Sequence, residues 1–593
     1  MNKTEKLICL VLGAVLAWYI FVEMPKQSQA AADAAKAQTT AQTTVDVEGA
    51  VAAQKVAQAA AEAATQAAVD QPDAKVQAPP PAVPERIVVL ENDEVKLELS
   101  TWGAVVKKAT LKKFARDVGE ISADNPAVEL DFASAPLGEL GGVKGLAPNA
   151  AYEVESASSS EVVFANGEMT RTVTLAEGYM VSYKDVSGRA TPFSGPDNSI
   201  SLGVMTMGSS KNDLLSVDSL DACNAKGKPE VVHHCEGDSP LKAYLVGGLS
   251  GGCSGSSSAA GMPEKTRVGI YDEQKWVAVK NRFFVAALAS STATISGFDA
   301  EVARDMNSAN YRPASVSTRV RFADGKDVSR LTTFYVGPKK QSLLWDLGMR
   351  DVMEFGIWRW LCYPLVWVLN FFNGLIPNYG VAIILLTILV RLLFWPLTHK
   401  STVGMRKMQE LQPLMKEIQT KYKDNPQRMQ QETWALYREK KVNPMSSCLP
   451  MLIQIPVFIA LFNVLRSAVE LRYAPFLWIS DLSEPEALFA SWFPFGGLNL
   501  LPILMAVSTG LQSAFTPSTG DKSQQKMMMV FMPLMMLVMF YSFPSALSLY
   551  WFLSNLFSIV QMWLIRRQAA AKQEVLTPEV IDPPVTRQMR RHG

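Results

Sequence analysis

Arg391 lies inside the run LLTILVRLLFWPLTHK, Leu385 to Lys400, where almost every neighbour is apolar. A guanidinium at the centre of a bilayer costs roughly 3 to more than 10 kcal/mol, so such a residue calls for a reason. Two readings stand side by side. Arg391 is six residues from Leu397, about 9 Å at helical rise, within reach of the headgroups for a long, snorkelling side chain. Alternatively it faces a hydrated cavity that opens on the cytoplasm. Polar residues in other apolar runs favour the cavity. Ser548, Trp551, Asn555 and Ser558 follow i, i+3, i+7, i+10 spacing and form one helical stripe. Ser508, Thr509, Gln512 and Ser513 gather at one end of another run, and Thr387 stands one turn before Arg391. Taken singly, each serine or threonine reads as helix packing with a hydroxyl bonded back to its own helix. Gln454 and Asn463, nine apart, point to opposite faces and add no stripe.

What these runs omit also bears on function. None of the last five carries Asp, Glu or His in its interior, which disfavours ion-coupled transport. No G-x-x-x-x-G-K-[ST] phosphate loop occurs, so no nucleotide motor is built into the chain. No catalytic constellation, cofactor motif or metal site is expected, and the chain does not read as an enzyme. Cys223, His233, His234, Cys235 and Cys253 cluster in the polar half. A Cys223–Cys235 disulfide is the expectation there. A zinc site is the alternative, though the spacing fits no standard finger.

The elements that position these residues follow from patterning. The chain has 593 residues and a net charge near +1, so no global charge bias points to nucleic acid. Residues 1–26 pair Lys3 and Lys6 with an apolar stretch lacking a small-residue cleavage site, and read as a transmembrane anchor. Residues 27–84, rich in Ala, Gln and Pro, read as a disordered linker. From 85 to 340 the period is two: Val95, Leu97 and Leu99 alternate with Glu94, Lys96 and Glu98, and EVVFANGEMTRTVTL sets an Asn-Gly turn between strands. This predicts an all-β antiparallel sandwich. Residues 341–376 read as interfacial, with a continuous amphipathic helix over Leu344 to Trp360. Five spans follow at about 378–398, 448–469, 498–515, 527–543 and 546–565, in a core covering 377–566. The block 400–443 reads as a two-helix hairpin broken at KDNPQ, with Met408, Leu411, Met415 and Ile418 facing Met429, Trp434 and Leu436. It holds ten Lys/Arg against five Asp/Glu, and a basic tail fills 567–593. Positive charge stays inside, so hairpin, tail and both termini are expected in the cytoplasm and the sandwich outside it. The fold class is therefore a polytopic α-helical membrane protein of six spans with one large all-β domain.

VRLLFWPLTHKS, EKKVNPMSSCLPMLIQIPVF and LSLYWFLSNLFSIVQ resemble the YidC family of bacterial membrane protein insertases, and QKWVAVKNRFF and FYVGPKK resemble its large periplasmic domain. The likeness covers about 85 to 565. It implies insertion and folding of new membrane proteins through a hydrophilic groove open to cytoplasm and lipid, in a Gram-negative inner membrane. The family's groove residues fall on Arg391, Thr387 and Gln512, and its aromatic pair on Tyr550 and Trp551, where many members carry a second tyrosine. With Ser548 and Asn555 these make the expected substrate groove. Implied partners are nascent clients, the ribosome and targeting factors at the hairpin and tail, the Sec translocon and membrane lipids. Two other readings use the same features: a transporter of a small anionic solute or lipid through the cavity, and an anchored assembly chaperone acting through the sandwich.

Overall fold

The computed structural model describes residues 83–189, 192–194, 197–206, 215–221, 230–234, 265–304, 313–325, 327–440, 442, 449–489, 497–515 and 522–574. The anchor 1–26, all but the last two residues of the linker, Cys223, Cys235, Cys253 and the tail beyond 574 lie outside the described residues.

Among the described residues, eighteen strands run from Ile87–Glu91 to Ser329–Pro338, and every pairing among them is antiparallel. One ladder passes from Met169–Leu175 through Met180–Ser187, Ser329–Pro338 and Phe284–Ser291 to Gln274–Lys280. A second passes from Val95–Ser100 through Val105–Ala115, Leu137–Gly141 and Ser199–Thr206 to Pro313–Phe322 and Ile295–Arg304. The ladders meet at the Gln274–Ile295 pair and bury their inner faces in one core. Period-two patterning decides which face each residue takes. Val95, Leu97 and Leu99 are fully buried, whereas Lys96 and Glu98 are only half-buried. In the Asn-Gly hairpin, the Asn166 side chain accepts from the Glu168 and Met169 amides, and Gly167 takes a φ of 77° that favours glycine.

The same alternation turns Arg171 inward, because Met169, Val173 and Leu175 share its face. Strand register sets Asp185 opposite both Arg171 and Arg330, so three buried charges form one row across three strands. Arg171 reaches Asp185 at 2.8 Å and spans the sandwich to the carbonyls of Gly103 and Gly138. Arg330 stands 3.5 Å from Asp185, donates to the Asn198 side-chain oxygen at 3.0 Å, and lies over the rings of Phe193 and Phe322.

Nine α-helices are described: α1 (Gln341–Asp346), α2 (Arg359–Leu375), α3 (Tyr379–Glu410), α4 (Gln412–Lys421), α5 (Pro426–Glu439), α6 (Leu449–Ser467), α7 (Leu500–Phe515), α8 (Lys522–Phe540) and α9 (Ser545–Glu574). The helix expected over Leu344 to Trp360 is not continuous. It is split into α1 and two single 3-10 turns before α2 begins. Gly348, Glu354 and Gly356 all take positive φ, which an α-helix cannot hold. The breaks let Leu344, Met349, Val352, Met353 and Phe355 turn into the core while Trp345 and Trp360 remain exposed.

α3 runs on from its apolar part to Glu410, so the first expected hairpin helix is partly its continuation. The chain then turns at Asn425, whose side chain caps α5 by accepting from Arg428. Met408 and Leu411 pack with Val442 and Tyr437 rather than with Trp434, which is exposed. The return of the chain at Val442 fills that place, and Trp434 lies edge-on to Tyr437 instead. α3 and residues 545–567 of α9 are long and apolar enough to cross a membrane; α7 and the apolar described parts of α6 and α8 are shorter. α9 packs against α3, α6 and α7; α8 against α7; and α2 against α3 and α6.

Candidate functional site

The expected groove residues divide into a partnered set and a cation. Arg391 is half-buried on α3, and among the described residues it makes no hydrogen bond or ion pair with another side chain. Tyr550 on α9 lies within electrostatic reach of its guanidinium. Thr387, fully buried, donates to the Ile383 carbonyl at 2.7 Å, so its hydroxyl is spent on its own helix. Tyr550 is buried and accepts from the Gln454 amide at 2.8 Å. Trp551 packs edge-on to Phe458 with centroids 5.0 Å apart, and lies 5.2 Å from Phe540. Ser548 is fully buried with an unpartnered hydroxyl. Asn555 donates to Ser508 at 3.0 Å and Thr509 at 2.8 Å, tying α9 to α7. Gln512 is half-buried on α7.

The structure thus brings Arg391 and Tyr550 together, and gives Asn555 and Thr387 structural bonds. Sequence reasoning missed two partners. Gln454 was set aside because no stripe accompanied it, yet it meets Tyr550. Gln561 was not noticed, yet its amide donates to Thr398 on α3 at 2.9 Å. One signal was present: Gln561 lies six residues beyond Asn555 and three beyond Ser558 in the same largely apolar run. Through Tyr550, Asn555 and Gln561, α9 makes polar contacts with three neighbouring helices.

At the end of this bundle nearest the β-domain, a loop over residues 468–489 ties the helices together. The Glu486 carboxylate accepts from the amides of Leu500 and Leu501, both at 2.7 Å, at the N-terminus of α7, where a negative charge is favourable. Burial pushes this carboxyl above its ordinary range. Ser545 and Ala546, opening α9, donate their amides to the carbonyls of Glu484 and Leu482. The β-domain grips the same loop. Arg282 donates to the carbonyls of Arg466 at 2.9 Å and Ser483 at 2.6 Å and pairs with Glu484. Arg472, from the loop, donates to the Ala115 and Arg116 carbonyls. Nearby, buried Lys280 is paired with Asp218 and Glu354 and donates to the Val352 carbonyl.

Comparison with known proteins adds the family. Residues 371–573 match a family described as 60Kd inner membrane protein, and residues 256–368 match one described as YidC periplasmic domain. The membrane protein insertase YidC of Pelodictyon phaeoclathratiforme (strain DSM 5477 / BU-1) is 32% identical over 518 residues, covering 82% of this chain and 84% of that relative. That of Syntrophobacter fumaroxidans (strain DSM 10017 / MPOB) is 42% identical over 299 residues, covering 50% of this chain and 54% of that relative; there the match spans about half of the relative's length. A solved structure described as an active YidC insertase with the first transmembrane domain resolved shares 19% identity, with 81% of this chain and 92% of that one covered and a TM-score of 0.32. The relatives carry the name of insertases. With 82% of its length aligned at 32% identity to one of them, the chain belongs to the YidC family of membrane protein insertases.

Proposed function

We propose that the chain inserts newly made membrane proteins into the inner membrane, with Arg391 drawing the polar, often acidic, segment of a client into a hydrated groove. The observation that carries this is Arg391 itself. Its guanidinium is half-buried among apolar helices, and no described side chain pairs with it. A cation left so has an open demand for an anion or water, which a client's acidic tail would meet. The hydrophobic transfer of the client's apolar stretch into lipid supplies the driving force.

The membrane reading rests on the outer faces of the helices. Leu392 on α3 is 61% exposed, Val530 and Phe531 on α8 are 66% and 58% exposed, and Trp563 on α9 is also exposed. Faces this apolar are too costly for water and fit acyl chains. In this reading the bundle supplies five spans, with a sixth at 1–26. The pair α4 and α5 and the basic tail then face the cytoplasm, where they would meet the ribosome and targeting factors. The β-domain lies in the periplasm. A partnership with the Sec translocon is part of the same proposal.

Reconstitution into liposomes with single-span clients tests it. Arg391→Ala should impair insertion most for clients with acidic translocated tails, while Arg391→Lys stays close to the parent. Equal insertion of all clients by the alanine variant overturns the charge-pairing role. Saturable binding of a small anionic solute at Arg391, with client insertion intact, would favour the transporter instead.

A further inference from the structure

The loop that caps α7 and α9 carries a feature that this capping does not explain. Phe476 and Ile479 are buried and exchange both backbone hydrogen bonds at 2.9 Å, closing a tight turn over Leu477 and Trp478. Leu477 holds a φ of 53°, a left-handed conformation that a leucine adopts only when its surroundings impose it. The result is a rigid tip with its apolar side chains turned outward: Leu477 is 76% exposed and Trp478 44%. The base of the tip is clamped to a helix. A Cβ at Gly380 would lie 2.0 Å from the Phe476 ring, so this residue must be glycine for the turn to seat on the first turn of α3.

That placement fixes the level of the tip. Twenty residues of helix from Tyr379 rise about 30 Å, the thickness of the hydrocarbon layer. The first turn of α3 therefore stands where the helix leaves the hydrocarbon, and Leu477 and Trp478 stand beside it. Tryptophan is favoured at that boundary, with its ring among headgroups and acyl chains. The Trp478 side chain also lies close to the Glu486 carboxylate, which caps α7. From this geometry we propose that the Leu477–Trp478 turn is a lipid-binding wedge, seated in the headgroup–acyl boundary of the leaflet on the β-domain side. Lipid is the occupant because the tip stands at the hydrocarbon boundary beside the start of α3, exposes a leucine and a tryptophan, and has no charged side chain of its own. The wedge would hold the capping loop, and through it the ends of α7 and α9, at a set depth. This inference rests on the membrane reading above.

The test places the photoreactive residue p-benzoylphenylalanine at position 477, 530 or 328 of the full chain, in vesicles of phosphatidylethanolamine and phosphatidylglycerol. Val530 is on the exposed face of α8, and Val328 is exposed on the β-domain. The expected result is a mass increase of one phospholipid after irradiation at 477 and at 530, and none at 328. A lipid adduct at 530 without one at 477 overturns the wedge and leaves the membrane reading standing. An adduct at neither overturns both. Cross-linking of 477 to protein in place of lipid also overturns the wedge.

Discussion

The side-chain amide of Gln454 donates to the hydroxyl of Tyr550 at 2.8 Å, joining α6 to α9 beside Arg391. Interhelical hydrogen bonds in membranes contribute on average about 0.6 kcal/mol and at most about 1.7 kcal/mol. Tyr550→Phe should therefore destabilise the bundle by about 1 kcal/mol, since it strands the Gln454 amide. Adding Gln454→Leu should return part of that loss. A double-mutant cycle on unfolding in detergent reads the coupling, and additive losses would show that the bond contributes nothing.

Asp185 holds two buried guanidinium groups at once. Burial and the neighbouring Arg171 push the Arg330 guanidinium down to about 10, with Asp185 opposing the shift. Asp185→Asn keeps the shape and deletes the charge, leaving both arginines uncompensated. A loss of about 3–5 kcal/mol is expected, read as an early unfolding transition of the β-domain. Replacing all three charges, with Arg171→Met, Asp185→Leu and Arg330→Met, should recover most of it.

Lys339 closes the last strand's approach to α1 and is buried, its amine 3.4 Å from the Asn281 carbonyl. Burial, with Lys280 adding to it, pushes its ammonium down to about 7. From about pH 7 to about pH 10 the unfolded chain carries a proton here that the folded chain lacks. Stability then rises with pH by up to about 1.4 kcal/mol per unit, and it is lowest, and level, below pH 7. Lys339→Met should raise the melting temperature at neutral pH and flatten the profile across that window. A parent and variant with parallel profiles would contradict the shift.

Arg282 makes charge-assisted bonds with the end of α6 and with the loop that caps α7 and α9. Such bonds contribute about 1.5–3 kcal/mol. Arg282→Gln keeps one donor group and loses the charge. Hydrogen exchange should quicken at the amides of Ser545 and Ala546, which bond to that loop, while amides in the Met169–Leu175 strand keep their protection.

Local features are legible in the sequence. Val95, Leu97 and Leu99 announced their strand because alternation alone decides a half-buried sheet, and KDNPQ marked the break before α5, where Asn425 accepts from the Arg428 amide three residues on. The split of Leu344 to Trp360 was not legible. An amphipathic period says which face is apolar, but not that the β-domain core will take Leu344 and Phe355 separately. The Gln454–Tyr550 pair was hidden for a related reason: two polar residues on helices far apart in sequence carry no shared pattern. Arg171 likewise gives no sign of its burial, since only the register with Asp185 explains it.

Glu486 and the carbonyls of Leu482 and Glu484 fasten the starting ends of α7 and α9 to one short stretch of chain. Two rods pinned at one tip can part only at the other, like the legs of a compass. Any widening between α7 and α9 must then grow with distance from the β-domain, through the Asn555 clasp and on toward Gln512. For the insertase proposed above, a passage of that shape would admit a client from one side and stay shut on the other without a separate door.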